Sequence, residues 1–232
     1  MSGLSENERL WLHEEVLLVA LHDEKGSMQA SSTCGFAMAG AMFAELMLMG
    51  RLSIAGEGKK QTVAVADPAA TGNPLLDECL AMVSESSKPR KPADWMWRFA
   101  RVKNLRDRVA DDLITLGAIR KEEGKVLVIF PVTRYPEVDA SYEAEVSRRL
   151  AETIFGDEPV DDPRTATLVA LLDGAQMLSL VFSRKDLKAR KARLEAISSG
   201  DAAGEAVTAA VRAMQAAVIT ACTAGATVAA IS

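Results

Sequence analysis

Cys34-Gly35-Phe36-Ala37-Met38-Ala39-Gly40-Ala41-Met42-Phe43-Ala44-Glu45-Leu46-Met47-Leu48-Met49 carries one charge, Glu45, and ends against Gly50. A helix built from these residues is apolar all round and needs cover on every side. It is shorter than the roughly 17–25 residues that cross a bilayer, which makes it the centre of a helical domain. Ala213 to Ser232 holds 20 uncharged residues, eight of them Ala, with only Met214, Val218, Ile219, Val228 and Ile231 as sizeable apolar groups. It reads as a packed terminal helix instead of a membrane span. Around these runs the sequence predicts amphipathic helices with one buried stripe each.

Of those, Val102, Leu105, Val109, Leu113 and Leu116 give the clearest pattern, an amphipathic helix stopped by Gly117. Tyr142, Val146, Leu150 and Ile154 mark another at a spacing of four. Leu10 to Leu21 reads as an entering helix, closed by the turn Asp23 to Gly26. Pro74 opens a helix over Leu75 to Val83, and Asp94 to Ala100 is a short segment carrying Trp95 and Trp97. Thr165 to Phe182 reads as a second apolar helix and Leu187 to Ile197 as a basic one. Arg51 to Ile54 and Gln61 to Val65 alternate across Ala55 to Lys60 as a hairpin. A second hairpin is predicted with strands Ala118 to Glu122 and Val126 to Phe130 about the turn Glu123-Gly124-Lys125. The fold class is mainly α: one globular domain over residues 10–232, with apolar central helices, amphipathic outer ones and short β-hairpins, after an N-terminal tail over 1–9.

The 232 residues include 27 Lys+Arg against 32 Asp+Glu, a net charge of −5, so no general basic coat for nucleic acid exists and any anion site is a local patch. Aromatics at 5% beside 10 Met disfavour a β-sandwich and favour helix packing with flexible aliphatics. Cys34, Cys79 and Cys222 stand apart among small or apolar residues, the pattern of reduced buried thiols in the cytoplasm. Met1 to Arg9 is acidic and lacks an apolar core, so no signal peptide is expected. His13 and His22 are the only histidines and lack metal-ligand spacing; no metal site, no cofactor and no catalytic residue is read.

The informative charges are basic. Arg98, Arg101, Lys103, Arg106 and Arg108 are interrupted by one acid, Asp107. On a helix, Lys103 and Arg106 flank one side of the apolar stripe and Arg101 and Arg108 the other, so only the first pair converges on one anion. Trp95 and Trp97 fit either a core or a membrane interface. A second run, Arg184, Lys185, Lys188, Arg190, Lys191 and Arg193, fits either anionic lipid or a solvated helix face.

Glu14-Glu15-Val16-Leu17-Leu18 with Leu21, Glu45-Leu46, Gly50-Arg51-Leu52, Thr71-Gly72-Asn73-Pro74-Leu75-Leu76-Asp77-Glu78, Arg106-Asp107-Arg108-Val109 with Leu113 and Gly117, Glu123-Gly124-Lys125, and Thr133-Arg134-Tyr135-Pro136 follow one another along the chain. In this order they resemble the Golgi phosphoprotein 3 family of phosphatidylinositol-4-phosphate-binding domains. The resemblance runs over about residues 8 to 230. It implies a non-enzymatic peripheral membrane module, cytoplasmic and held at the cytoplasmic face of a membrane, whose partner is an anionic, phosphoinositide-like phospholipid. It places the headgroup at Lys103 and Arg106, aided by Arg101 and Arg98, and membrane-contacting residues at Val126 and Leu127 of the hairpin. Where the family carries a Trp and an Arg in this pocket, the chain has Ala30 and Ala39. Two alternatives stand beside this reading: a degenerate member serving as a protein-binding scaffold, and a winged-helix-like nucleic-acid reader built from the helix that hands to the hairpin, which the acids Asp107, Asp111 and Asp112 disfavour.

Overall fold

A computed structural model describes residues 9–21, 31–56, 60–126 and 130–202. The apolar run folds as α2 (Ser31–Leu48) and is sheathed as its composition requires: Ala37, Met38, Ala39, Ala41, Met42, Phe43, Ala44 and Leu46 are all buried. Each large side chain enclosed this way contributes about 1.5–3 kcal/mol. Its cover comes from α1 (Leu12–Ala20), α3 (Pro74–Ser84), α4 (Pro92–Phe99) and α7 (Pro163–Gly174). Helix α5 (Leu105–Thr115) lies on α1, α6 (Ala140–Phe155) on α7, and α9 (Lys191–Ser199) on the outside of α7. Gly50, in the left-handed region at φ 69°, ends the central helix where a residue with a Cβ would be strained. The described part is mainly α, and none of its helices is long and apolar enough to cross a membrane.

The single charge of the central helix is what the helices around it are fastened to. Glu45 Oε2 accepts the Leu12 backbone N–H at 2.8 Å, one of the donors that the start of α1 leaves open. Its other oxygen accepts from Arg164 of α7, which also donates to the Leu10 carbonyl. Beside it Glu15 of α1 is paired with Arg149 of α6, whose guanidinium also reaches Thr165 Oγ1 at 3.1 Å. Four helices thus share one buried ionic cluster.

The hairpins are β1 (Leu52–Ala55) with β2 (Thr62–Val65), and β3 (Glu122–Val126) with β4 (Phe130–Arg134), both antiparallel. The second corrects the sequence reading. Gly124 is not in a turn but pairs with Val132 in mid-strand, and the ladder continues to the pair Val126 and Phe130. Ala118 and Ile119, expected in the first strand, are buried at the hairpin's base, where Ile119 bridges to Glu137. Glu122, Glu123 and Gly124 are exposed, as are Thr133 and Arg134 opposite them, so a Gly between charges is tolerated in this strand.

Two helix expectations also change. The run from Thr165 to Phe182 breaks after Gly174: Gln176 takes φ 59° and a short 3-10 turn, Leu178–Leu180, follows. The basic run is two helices, α8 (Arg184–Ala189) and α9, parted at Arg190. Arg190 turns inward and donates to the carbonyls of Ile154, Phe155 and Gly156, while Arg193 reaches those of Thr153 and Glu158. These two cations close the C-terminal end of α6 and do not belong to a free basic face. The Asp23 to Gly26 turn and the terminal helix over 213–232 lie outside the described residues, as do His22 and Cys222.

Candidate functional site

Between the N-terminal half of α2 and the junction of α4 with α5 lies a cavity of about 260 Å³. One wall is α2, with Cys34, Gly35 and Met38; the other is the chain from Ala100 through Val102 and Asn104 to Leu105, Arg106 and Asp107. The junction is shaped by Asn104, which sits in the left-handed region at φ 54°, a conformation Asn tolerates better than most residues. Its side chain makes no cap, so the first turn of α5 lines the cavity with the positive end of a helix dipole uncapped by a side chain.

That kink alters the geometry drawn from a continuous helix. Lys103 precedes α5 in an exposed turn and is not among the lining residues, whereas Arg106, in the first turn, is. Arg106 lies 3.7 Å from Asp107, both about half exposed, so its guanidinium is held weakly and remains open to a stronger anion. Arg101 and Arg98 stand over indole rings, Arg101 5.9 Å from the centroid of Trp97 and Arg98 5.5 Å from that of Trp95. Neither lines the cavity. Trp95 is buried in the core, and Trp97, half-buried, meets Phe36 edge-on at 4.3 Å. Arg108 is committed elsewhere, 2.6 Å from Glu78.

Cys34, in the cavity wall, is pushed up to about 12 by burial, so it is an inert thiol there despite the nearby charge of Arg106. Ala39 is fully buried and adds no polar group; Ala30 and Leu127 lie outside the described residues, and Val126 is the last residue of β3. A second cavity of about 250 Å³, between α6 and the 158–165 segment, sets Glu152, Glu158, Asp161 and Asp162 against Arg149 and Arg193. Its acidic excess makes it a poor anion site. The α2 wall of the first cavity was not legible beforehand, because Cys34, Gly35 and Met38 read only as parts of an apolar helix.

The profile of Golgi phosphoprotein 3 (GPP34) matches residues 12–214, taking in the cavity, the ionic cluster and both hairpins. The chain belongs to the Golgi phosphoprotein 3 family. Vacuolar protein sorting-associated protein 74 of Eremothecium gossypii is 28% identical to it over 222 residues, which cover 81% of this chain and 66% of that protein. The chain thus spans just under two thirds of that relative's length.

One other group of polar side chains was not anticipated. His13 and Glu14 of α1 meet Asp112 of α5, with a donor atom from each within 4.8 Å of the others. Burial, aided by the charge of Arg164, lowers the His13 imidazole to about 3 and so keeps it neutral. Burial likewise raises the Glu14 carboxyl to about 8, with Asp112 and Glu15 adding to it; Asp112 is raised as well, first by burial. The histidine pattern gave no warning, because the third donor comes from a helix far along the chain.

Proposed function

We propose that this Golgi phosphoprotein 3 family member is a non-enzymatic peripheral module that binds a phosphorylated anionic lipid headgroup, phosphatidylinositol 4-phosphate by family, at the cytoplasmic face of a membrane. The observation that carries the reading is the cavity whose lining combines Arg106 with the uncapped first turn of α5. Guanidinium and helix N-terminus both favour a phosphate, and a phosphate placed there competes with Asp107 for Arg106. The volume is below the ~300–1,000 Å³ of sites enclosing drug-sized ligands, so the cavity takes a headgroup and leaves the acyl chains outside. Lys103, exposed one turn earlier, adds a mobile point charge at the rim, and Arg101 and Arg98 add positive potential beside the half-buried Trp97. Val126, the last residue of β3, and Leu127, next to it in the sequence, supply shallow apolar contact that prolongs residence.

An apolar α2 wall, with Ala39 buried, offers fewer charges than a two-sided clamp, so affinity is low and binding depends on salt. Nucleic-acid binding is disfavoured: Asp107 and Asp111 are exposed on α5, and Arg108 is taken up by Glu78. The test is liposome flotation of the wild type beside Lys103→Ala/Arg106→Ala, on vesicles of phosphatidylinositol 4-phosphate, its bisphosphate relative or phosphatidylserine. The expected result is selective binding to the monophosphate that the double variant loses by tenfold or more. Equal binding of both proteins to every acidic vesicle overturns the site, and no binding to any vesicle favours the protein-binding scaffold.

A further inference from the structure

We infer that His13, Glu14 and Asp112 form a site for one divalent transition-metal ion of the zinc class, set between α1 and α5. The geometry starts from three donor groups of the right types, one imidazole and two carboxylates, within 4.8 Å of one another. Zinc holds nitrogen and oxygen donors at about 2.0–2.2 Å, which separates tetrahedral ligands by roughly 3.4 Å. Closing the gap takes a movement of about an ångström, within reach of a side-chain rotation at half-exposed Asp112.

The second observation is independent of the clustering. His13 is fully buried, and neither Nδ1 nor Nε2 has a hydrogen-bond partner among the described residues. A buried imidazole with both nitrogens unmet is uncommon, since interior polar atoms are almost always paired. Neutral imidazole is the form that ligates a metal, and full burial of His13 disfavours the charged form.

Charge and support fit the same ion. Two carboxylates balance a divalent cation, while the positive groups nearby are engaged elsewhere, Arg164 by Glu45 and the Leu10 carbonyl and Arg108 by Glu78. Glu14 Oε2 accepts the Trp11 backbone N–H at 2.7 Å, and Asn73 hydrogen-bonds the Asp112 carboxylate. These contacts orient the donors as outer partners do in metal sites. An imidazole beside only two carboxylates selects zinc-like ions over calcium or magnesium, which take more oxygens or keep their waters. Half-exposed Asp112 provides the entry and leaves a coordination position for solvent.

The test uses tag-free full-length protein stripped with chelator, titrated calorimetrically with Zn²⁺ and, in parallel, with Co²⁺ read by its visible absorption. Wild type is expected to bind one ion per chain at micromolar concentration or below and to develop the Co²⁺ bands of a nitrogen–oxygen site. His13→Leu and Asp112→Asn are each expected to weaken binding at least tenfold. The first fills the same space without a polar atom and the second sits at a half-exposed position, so both fold, as a cooperative thermal transition will verify. Absence of saturable binding in the wild type, or binding that either variant leaves unchanged, overturns the site.

Discussion

Helix α1 buries polar groups on two sides, and the sides are finished differently. Toward α6 and α7, Glu15 and the neighbouring Glu45 meet Arg149 and Arg164, and a backbone N–H and a threonine hydroxyl take up more of the polar capacity. Toward α5, His13 and Glu14 meet the carboxylate of Asp112, and the cations whose charge reaches these groups, Arg164 and Arg108, are paired instead with Glu45 and Glu78. The first arrangement is charge-paired, although Glu15 Oε2 and Arg164 Nε have no hydrogen-bond partner among the described residues, and it explains why four helices hold together around one charge. The second is left to be balanced by the proton that Glu14 keeps or by the cation proposed above. Buried polarity therefore has opposite meanings a residue apart: a lock in one place, an invitation in the other.

The contrast breaks most sharply at Arg164. Replacing Arg164→Met leaves Glu45 buried without its cation and is expected to cost about 3–5 kcal/mol, read as a lower urea midpoint at unchanged slope. Adding Glu45→Gln should restore part of that loss, because an amide needs no counter-charge and its oxygen still accepts from Leu12. If the single variant costs less than about 1 kcal/mol, the cluster is not the fastening described here.

The open side has a pH signature. Glu14 in the folded chain keeps its proton to about 8, whereas the unfolded value is 4.5; the folded state binds more protons between them, so stability falls as pH rises through that window. His13 is the reverse, about 3 folded against 6.5 unfolded, so stability falls as pH drops from 6.5 toward 3. Between 4.5 and 6.5 the two cancel, giving a plateau that declines on both sides by up to about 1.4 kcal/mol per unit. Arg164, Glu15 and Asp112 face this pair and are common to all variants. The difference in stability between wild type and His13→Leu/Glu14→Gln, measured with chelator present, isolates the pair; a difference independent of pH would contradict it.

Two smaller effects sharpen the comparison. His13→Leu alone, without metal, should stabilise the chain by about 1–2 kcal/mol, because two unmet nitrogens leave the core; calorimetric melting checks it. At the surface, Arg108→Ala breaks the pair with Glu78 and should cost under about 1 kcal/mol while leaving vesicle flotation unchanged.

Helix existence was readable wherever a stripe repeated, as in α5 and α6, because burial on one face imposes its period on the sequence. Boundaries set by tertiary demands were not readable. Arg190 divides a continuous basic pattern because the end of α6 requires donors, and Gly124 imitates a turn because an exposed ribbon makes no claim on its side chains. The site was half legible. Charge spacing picked Arg106, but Asn104 in a left-handed conformation removed Lys103 from the helix and left it at the rim. The α2 wall and the metal-type cluster stayed hidden, since each is assembled by packing between distant segments and neither repeats along the chain.

The cations at the end of α6 also bear on how this surface is interrogated. Of the run from 184 to 193, Arg190 and Arg193 act as rivets driven through from outside. A charge-reversal scan across it would mix two unrelated effects, altered surface charge at Arg184, Lys185 and Lys188 and lost architecture at the two rivets. Only a parallel measurement of helix content separates a recharged protein from an unravelled one.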